Sequence, residues 1–192
     1  MASIEPTDFY LPPYAWDRGF IPWTPTPKQR YFLALKSEEA FFGGSAGPGK
    51  TVALLMAALM YVDVPGYSAL LLRKHYPQLV MAGGLIDIAK RWLLPAGVQW
   101  SEGHSVFTFP ESGARIAFGH LTSDDDVYKH QGASYQYCGV DELTENSEFA
   151  FRFMFSRLRR TAIQNVPLRM RAASNPGGRG HEWVKARFVD PG

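Results

Sequence analysis

A mainly parallel α/β domain is what this sequence predicts, on three observations. Short apolar runs alternate with helix-like segments, a glycine-rich turn joins the first run to a long apolar helix, and a later run ends on two adjacent carboxylates. The 192 residues, 46% hydrophobic and 20% charged, carry enough apolar material for one buried core of ordinary domain size.

The elements follow in chain order. Residues 1–28 mix Pro6, Pro12, Pro13, Pro22, Pro25 and Pro27 with Phe9, Tyr10, Tyr14, Trp16, Phe20 and Trp23, which discourages regular structure yet supplies anchors. An ordered strap is expected there, with the catalytic domain over 29–192. Lys28–Leu35 suits a short helix opened by Pro27. Ala40–Gly43 reads as a strand running into the glycine turn. Thr51–Tyr61 is a mostly buried helix ended by Pro65-Gly66. Tyr67–Leu72 has the continuous apolar character of a parallel strand covered on both faces. Leu79, Ile86, Ala89 and Leu93 share helical spacing, interrupted by Gly83-Gly84. Val98–Leu121 alternates across Glu111-Ser112-Gly113 as a β-hairpin does. Asp124-Asp125-Asp126 and Gly132 bracket a short turn or helix. A strand over Tyr135–Val140, a helix over Ser147–Arg159, a strand over Leu168–Ser174 and a helix over His181–Val189 complete the reading.

Chemistry concentrates at two places. Gly44-Ser45-Ala46-Gly47-Pro48-Gly49-Lys50-Thr51 matches G-x-x-x-x-G-K-[ST] and stands between a strand and a helix, the context that motif needs. The glycines let backbone N–H groups turn toward phosphate oxygens, and the helix that follows offers its positive end. The motif predicts a P-loop NTPase that binds ATP. Lys50 would reach the β- and γ-phosphates and the Thr51 hydroxyl would bind Mg²⁺. Hydrolysis rests on Asp141-Glu142, delivered by an apolar strand to the carboxyl edge of the sheet, where open α/β folds bind ligands. Asp141 would complete the Mg²⁺ shell and Glu142 would orient and deprotonate the attacking water, with Glu145 as a competing base.

Three further groups are candidates. Gln29, upstream of the loop, is placed as in motor ATPases of the additional-strand class, where its amide serves the adenine edge; a solvated helix glutamine is the alternative. Ser174-Asn175-Pro176 closes a strand with small polar groups suited to sensing a γ-phosphate, or forms a plain Asn-Pro turn. For the arginine that stabilises charge on the γ-phosphate, Arg73 follows the strand Tyr67–Leu72 and would act within one subunit, with Lys74 beside it as a substitute. Arg157, Arg159 and Arg160 would instead reach a neighbour's site in trans; structural ion pairs or solvated faces are the bland readings of both sets.

Several classes are excluded. His75, His104, His120, His130 and His181 show no His-Glu-x-x-His spacing, and Cys138 alone builds neither a zinc ribbon nor an internal disulfide. The loop is not G-x-G-x-x-G. The N-terminus lacks a secretory pattern, and the longest apolar run, Val52–Val62, is too short for a bilayer, so a cytoplasmic protein without a membrane span is expected. Net charge is +2, yet residues 151–192 carry +7 and the first 150 carry −5. That basic end either pairs with the acidic part or faces an anion or a neighbouring subunit.

The ordered set of Gln29, the phosphate loop, Gln131-Gly132, Val140-Asp141-Glu142 and Ser174-Asn175-Pro176-Gly177-Gly178 resembles the ATPase domain of DNA-packaging terminase large subunits. Tyr135–Thr144, Ser156-Arg157-Leu158-Arg159 and His181–Lys185 add to the likeness, which covers most of residues 25–189. It implies an additional-strand, RecA-like motor that joins a ring of like subunits at a capsid portal in the host cytoplasm. Its partners would be the portal protein, the small terminase subunit and double-stranded DNA. In isolation the chain is expected to be monomeric. The family continues into an RNase H-like nuclease domain, whereas this sequence stops at Gly192; truncation at a domain boundary is expected, and no nuclease residue is assigned. A stand-alone helicase or remodelling ATPase shares the phosphate chemistry but requires a second motor domain, and a non-hydrolysing nucleotide-binding module conflicts with Glu142.

Overall fold

The computed structural model describes residues 11–44, 47, 49–160 and 166–191. Among these, seven strands form one sheet: β1 (Glu39–Gly43), β2 (Ser68–Arg73), β3 (Gln99–Ser101), β4 (Val106–Thr108), β5 (Arg115–His120), β6 (Tyr137–Asp141) and β7 (Arg169–Ser174), in spatial order β1-β7-β6-β2-β5-β4-β3. From β1 to β5 along that order every pairing is parallel, and β4 and β3 extend the sheet antiparallel. β7 lies between β1 and β6, so one additional strand separates the strand that enters the phosphate loop from the strand that carries Asp141. The parallel, additional-strand architecture expected from sequence is present.

Helices cover both faces: α1 (Tyr14–Asp17), α2 (Pro27–Ala34), α3 (Gly49–Leu59), α4 (Tyr76–Val80), α5 (Leu85–Leu93), α6 (Glu148–Phe155) and α7 (His181–Phe188). One apolar cluster joins α2, α3 and α5 with the strap residues Ala15, Phe20 and Ile21, and a second lies under α6 and α7. α3 is buried from Ala53 to Leu59 because it passes between the sheet and α2 and α5, which explains why its sequence is apolar all round. α5 instead buries Leu85, Ile86, Ile88, Ala89, Trp92 and Leu93 and turns Asp87, Lys90 and Arg91 outward. α2 starts where Pro27 predicts: Thr26 accepts from the Gln29 backbone N–H and the Gln29 side chain accepts from the Thr26 N–H, a reciprocal capping box.

Three elements differ from expectation. The predicted hairpin over Val98–Leu121 is three strands. Its glycine turn does join β4 to β5, with Gly113 at φ 69°, but a second turn ending at Ser105 splits off β3. The helical spacing of Leu79, Ile86, Ala89 and Leu93 belongs to two helices, broken at Gly83 and Gly84. Gly83 has φ 80°, and a Cβ on Gly84 would lie 2.5 Å from the carbonyl oxygens of both Gln78 and Leu79. α6 also ends at Phe155, not Arg159, because the following residues pair with the chain just before β6: Tyr135 N donates to Arg157 O, and Arg159 N donates to Tyr135 O. The 3-10 turn Asp124–His130 fills the segment after β5. None of the helices among the described residues is long and apolar enough to cross a membrane.

Candidate functional site

Parallel register gathers the site. Gly43 pairs with Ser174, Asp141 with Ala173 and Leu72 with Val140, so the loop entrance, Ser174-Asn175, Asp141-Glu142 and Arg73 all emerge at the carboxyl edge of the sheet. α3 begins there too. Lys50 is buried and its Nζ donates to the Gly44 carbonyl at 3.2 Å, across the loop. Thr51 Oγ1 donates to Asp141 Oδ2 at 3.1 Å, linking the first turn of α3 to the end of β6. Ser45, Ala46 and Pro48 of the motif lie outside the described residues.

Asp141 is almost wholly buried, which pushes its carboxyl above the usual carboxylate range; the Arg73 guanidinium, with Nη1 3.2 Å from Oδ2, opposes that rise. Glu142 next to it has φ 51° and ψ 55°, a left-handed conformation uncommon outside glycine. Its carboxylate is held from β7: Asn175 Nδ2 donates to Oε1 at 3.2 Å, and Ser174 Oγ and Asn175 N donate to Oε2 at 3.3 and 3.4 Å. Arg73 Nη2 stands 3.9 Å from Oε1. Ser174 Oγ also shares a 2.7 Å hydrogen bond with Thr144 Oγ1.

The structure sorts the remaining candidates. Glu145 faces away from the loop, into a polar cleft of about 400 Å³ that it lines with Lys74, Asn146 and Arg179. Lys74 belongs to that cleft as well, so Arg73 is the cation at the carboxylate pair. Arg157 lies over the Phe153 ring at 5.0 Å and donates to Ser156 Oγ. Arg157 and Arg159 pair with Tyr135, before the start of β6, so with Arg160 they occupy the sheet edge opposite the loop and have no reach to the site of their own subunit. Gln29 is not the solvated helix glutamine of the alternative reading. It is 5% exposed, its Nε2 donates to Gly49 O at 2.7 Å, and its Oε1 accepts from Thr26 N. The amide thus caps α2 and braces the end of the phosphate loop, with one N–H and one oxygen lone pair left beyond those two bonds. Thr144, which sequence reasoning passed over, had no motif to announce it: its role depends on the approach of β7 to the turn after β6.

The donor set fits a magnesium ion. A hydroxyl and a carboxylate, hard oxygen ligands, meet at the start of the helix that follows the loop. Among the described residues no group of three or more His, Cys, Asp or Glu side chains suited to a metal occurs, and the ligands this site offers are the Thr51 hydroxyl and the Asp141 carboxylate.

Residues 41–185 match the family described as terminase large subunit, T4likevirus-type, N-terminal. No curated protein matches. Among solved structures, the large terminase of a thermophilic bacteriophage superposes with a TM-score of 0.67 at 18% identity, over 88% of this chain and 43% of that one. The same terminase in complex with ATP-gamma-S gives 0.65 at 18% identity, over 85% and 41%. The large terminase ATPase domain of Thermus phage P74-26 gives 0.55 at 14% identity, over 88% and 72%. At these identities the likeness speaks to the fold, and the chain spans less than half the length of the first of these terminases.

Proposed function

We infer how the site works from a fact of kinship: this chain belongs to the family of T4likevirus-type terminase large subunits, in their N-terminal part. It is the ATP-hydrolysing motor domain of such a subunit, driving double-stranded DNA into a procapsid. The observation that carries the reading is the Thr51 to Asp141 hydrogen bond beside Glu142, which joins a phosphate loop to an acidic pair. The thermophilic-phage terminase has been solved with ADP and with ATP-gamma-S, which supports a nucleotide in the same loop here.

The residues divide the work. The loop from Gly44 to Gly49, with Ser45, Ala46, Gly47 and Pro48 between, would offer the phosphates the backbone N–H groups of all but Pro48, which has none. Lys50 leaves the Gly44 carbonyl for the β- and γ-phosphates. Thr51 and Asp141 would hold Mg²⁺, which when bound neutralises charge on those phosphates. Glu142 orients a water and accepts its proton as the water oxygen attacks the γ-phosphorus and the bond to the ADP oxygen breaks. Arg73, already at both carboxylates, turns to the γ-phosphoryl oxygens as their charge grows. Ser174 and Asn175 donate to Glu142 from β7 and lead into α7, which suits them to relay the state of the γ-phosphate. Arg157, Arg159 and Arg160 are available to a neighbour when like subunits assemble as a ring, with the portal protein and the small terminase subunit, in the host cytoplasm. Alone the chain is a monomer.

Two variants test the division of labour. Lys50→Ala should abolish tight ATP binding, whereas Glu142→Gln should bind ATP normally and lose roughly 10²–10⁴ in turnover. Equilibrium titration and phosphate release measure both. Wild-type turnover in Glu142→Gln would remove the general base from this account. Packaging of DNA into procapsids by the full-length protein, without duplex unwinding, separates a packaging motor from a helicase.

A further inference from the structure

On the reading just given, Glu142 is the general base, and its carboxylate is useful only while it stays aimed at the water. Donors from Ser174 and Asn175 hold it. The backbone N–H and side-chain amide of Asn175 belong to planar groups with fixed directions. The Ser174 hydroxyl does not: it has a single proton and rotates to suit its neighbours.

Thr144 is the residue placed to direct it. Left-handed Glu142 turns the chain back, and the 3-10 turn Leu143–Glu145 brings Thr144 against the end of β7. Thr144 N donates to Ser174 Oγ at 3.4 Å, and Thr144 Oγ1 lies 2.7 Å from the same atom. Both residues are buried, 5% and 1% exposed, so bulk water does not compete for either contact. The turn is itself held from the start of α7. Gly180 N donates to Thr144 O at 2.7 Å, Trp183 Nε1 donates to Asn146 O at 3.0 Å, and a Cβ on Gly178 would come within 3.1 Å of both Thr144 oxygens.

Counting protons sets the direction of the chain of hydroxyls. A carboxylate only accepts, a backbone N–H only donates, and serine has one proton and two lone pairs. The three contacts of Ser174 Oγ are satisfied together when its proton goes to Glu142 Oε2 and its lone pairs take the N–H and the O–H of Thr144. In the reverse orientation Ser174 donates to Thr144, and Glu142 Oε2 meets a lone pair at 3.3 Å. The Thr144 proton would then lack an acceptor, since its hydroxyl makes no other hydrogen bond among the described residues. A hydroxyl that accepts a bond is also polarised by it, which strengthens the bond it passes on.

We propose that Thr144 is a positioning residue for hydrolysis: acting through Ser174, it keeps the Glu142 carboxylate oriented on the attacking water and takes no part in holding the nucleotide. Thr144→Val, which drops the hydroxyl, should lower kcat by roughly three- to tenfold, the worth of one ordinary hydrogen bond. The ADP Kd should stay within about twofold of wild type, and Thr144→Ser should restore turnover. Should the added methyl crowd Ser174, Thr144→Ala makes the same comparison, with thermal melting confirming each fold.

A double-mutant cycle on single-turnover phosphate release decides the route. Ser174→Ala should cost at least as much as Thr144→Val, and adding Thr144→Val to Ser174→Ala should cost almost nothing more, because the threonine then has no hydroxyl to direct. Turnover within about twofold of wild type in Thr144→Val and Thr144→Ala, or an equal loss with and without the Ser174 hydroxyl, overturns the proposal. So does a fall in ADP affinity that matches the fall in turnover, which a merely structural stitch would give. If Glu142→Gln turns over as fast as wild type, the general-base reading falls and takes this one with it. If Glu142→Gln is inactive while both Thr144 variants are unaffected, this proposal alone falls.

Discussion

Glu142 is held where a carboxylate has few reasons to stay unless something uses it. A non-glycine residue in the left-handed region costs on the order of 1–3 kcal/mol, and here hydrogen bonds from Ser174 and Asn175 and the nearby Arg73 guanidinium help to offset it. Arg73 serves two acids at once, closer to Asp141 than to Glu142. Its position supports action within its own subunit, and Arg73→Ala in the assembled full-length motor should lower turnover at least tenfold. Mixing the variant with Glu142→Gln subunits should fail to rescue it, since a residue acting in cis is not supplied by a neighbour. Turnover of Arg73→Ala within about twofold of wild type, under ~0.5 kcal/mol in barrier terms, would pass the role to Arg157, Arg159 and Arg160.

Between β2 and β3 the chain turns at a point where no side chain fits. A Cβ on Gly84 would overlap two carbonyl oxygens at the end of α4, and backbone atoms do not yield as a flexible side chain does. Gly84→Ala should therefore destabilise the protein by about 1–3 kcal/mol, whereas alanine at nearby Gly103, with open space around it, should cost much less. Urea denaturation of the two variants compares them, and equal midpoints would show that α4 and α5 shift apart freely. The same place shows what the sequence made legible. Periodicity located the apolar faces of α4 and α5, because burial imposes it, but the Gly83-Gly84 break needed the backbone path. The phosphate loop and Asp141-Glu142 were legible because each carries its chemistry in adjacent residues. The job of Gln29, the Thr144 to Ser174 contact and the removal of Arg157–Arg160 to the far edge were not, since each depends on which strand lies beside which.

At the scale of the molecule, a sheet buried on both faces places ionisable side chains at its centre, and they tie the core to the nucleotide site. Tyr67 and Tyr137 point their hydroxyls into α3, donating to the carbonyls of Ala58 at 3.0 Å and Leu54 at 2.9 Å. Cys138, the next residue along β6, belongs to the opposite cluster. Burial pushes the Cys138 thiol up to about 12 and raises both tyrosines above their usual range. Folding thus favours the protonated forms, while the unfolded chain releases these protons at about 8.5 for cysteine and about 10 for tyrosine. The stability they contribute is fully present below about pH 8.5 and is lost as pH rises toward the folded values, by about 1.4 kcal/mol per pH unit for each site titrating in the unfolded state. Cys138 acts alone from about pH 8.5 to 10, and the tyrosines join it above. Urea denaturation at pH 7.5, 9.5 and 10.5 should show the wild type declining already at 9.5. Cys138→Ala should hold its neutral-pH stability to about pH 10 and then fall steeply, as the phenols ionise in the unfolded chain while the folded protein keeps them protonated and bonded to α3, the helix that carries Lys50 and Thr51. A parallel decline of wild type and Cys138→Ala between pH 8.5 and 10 would mean that the thiol does not control the alkaline limb.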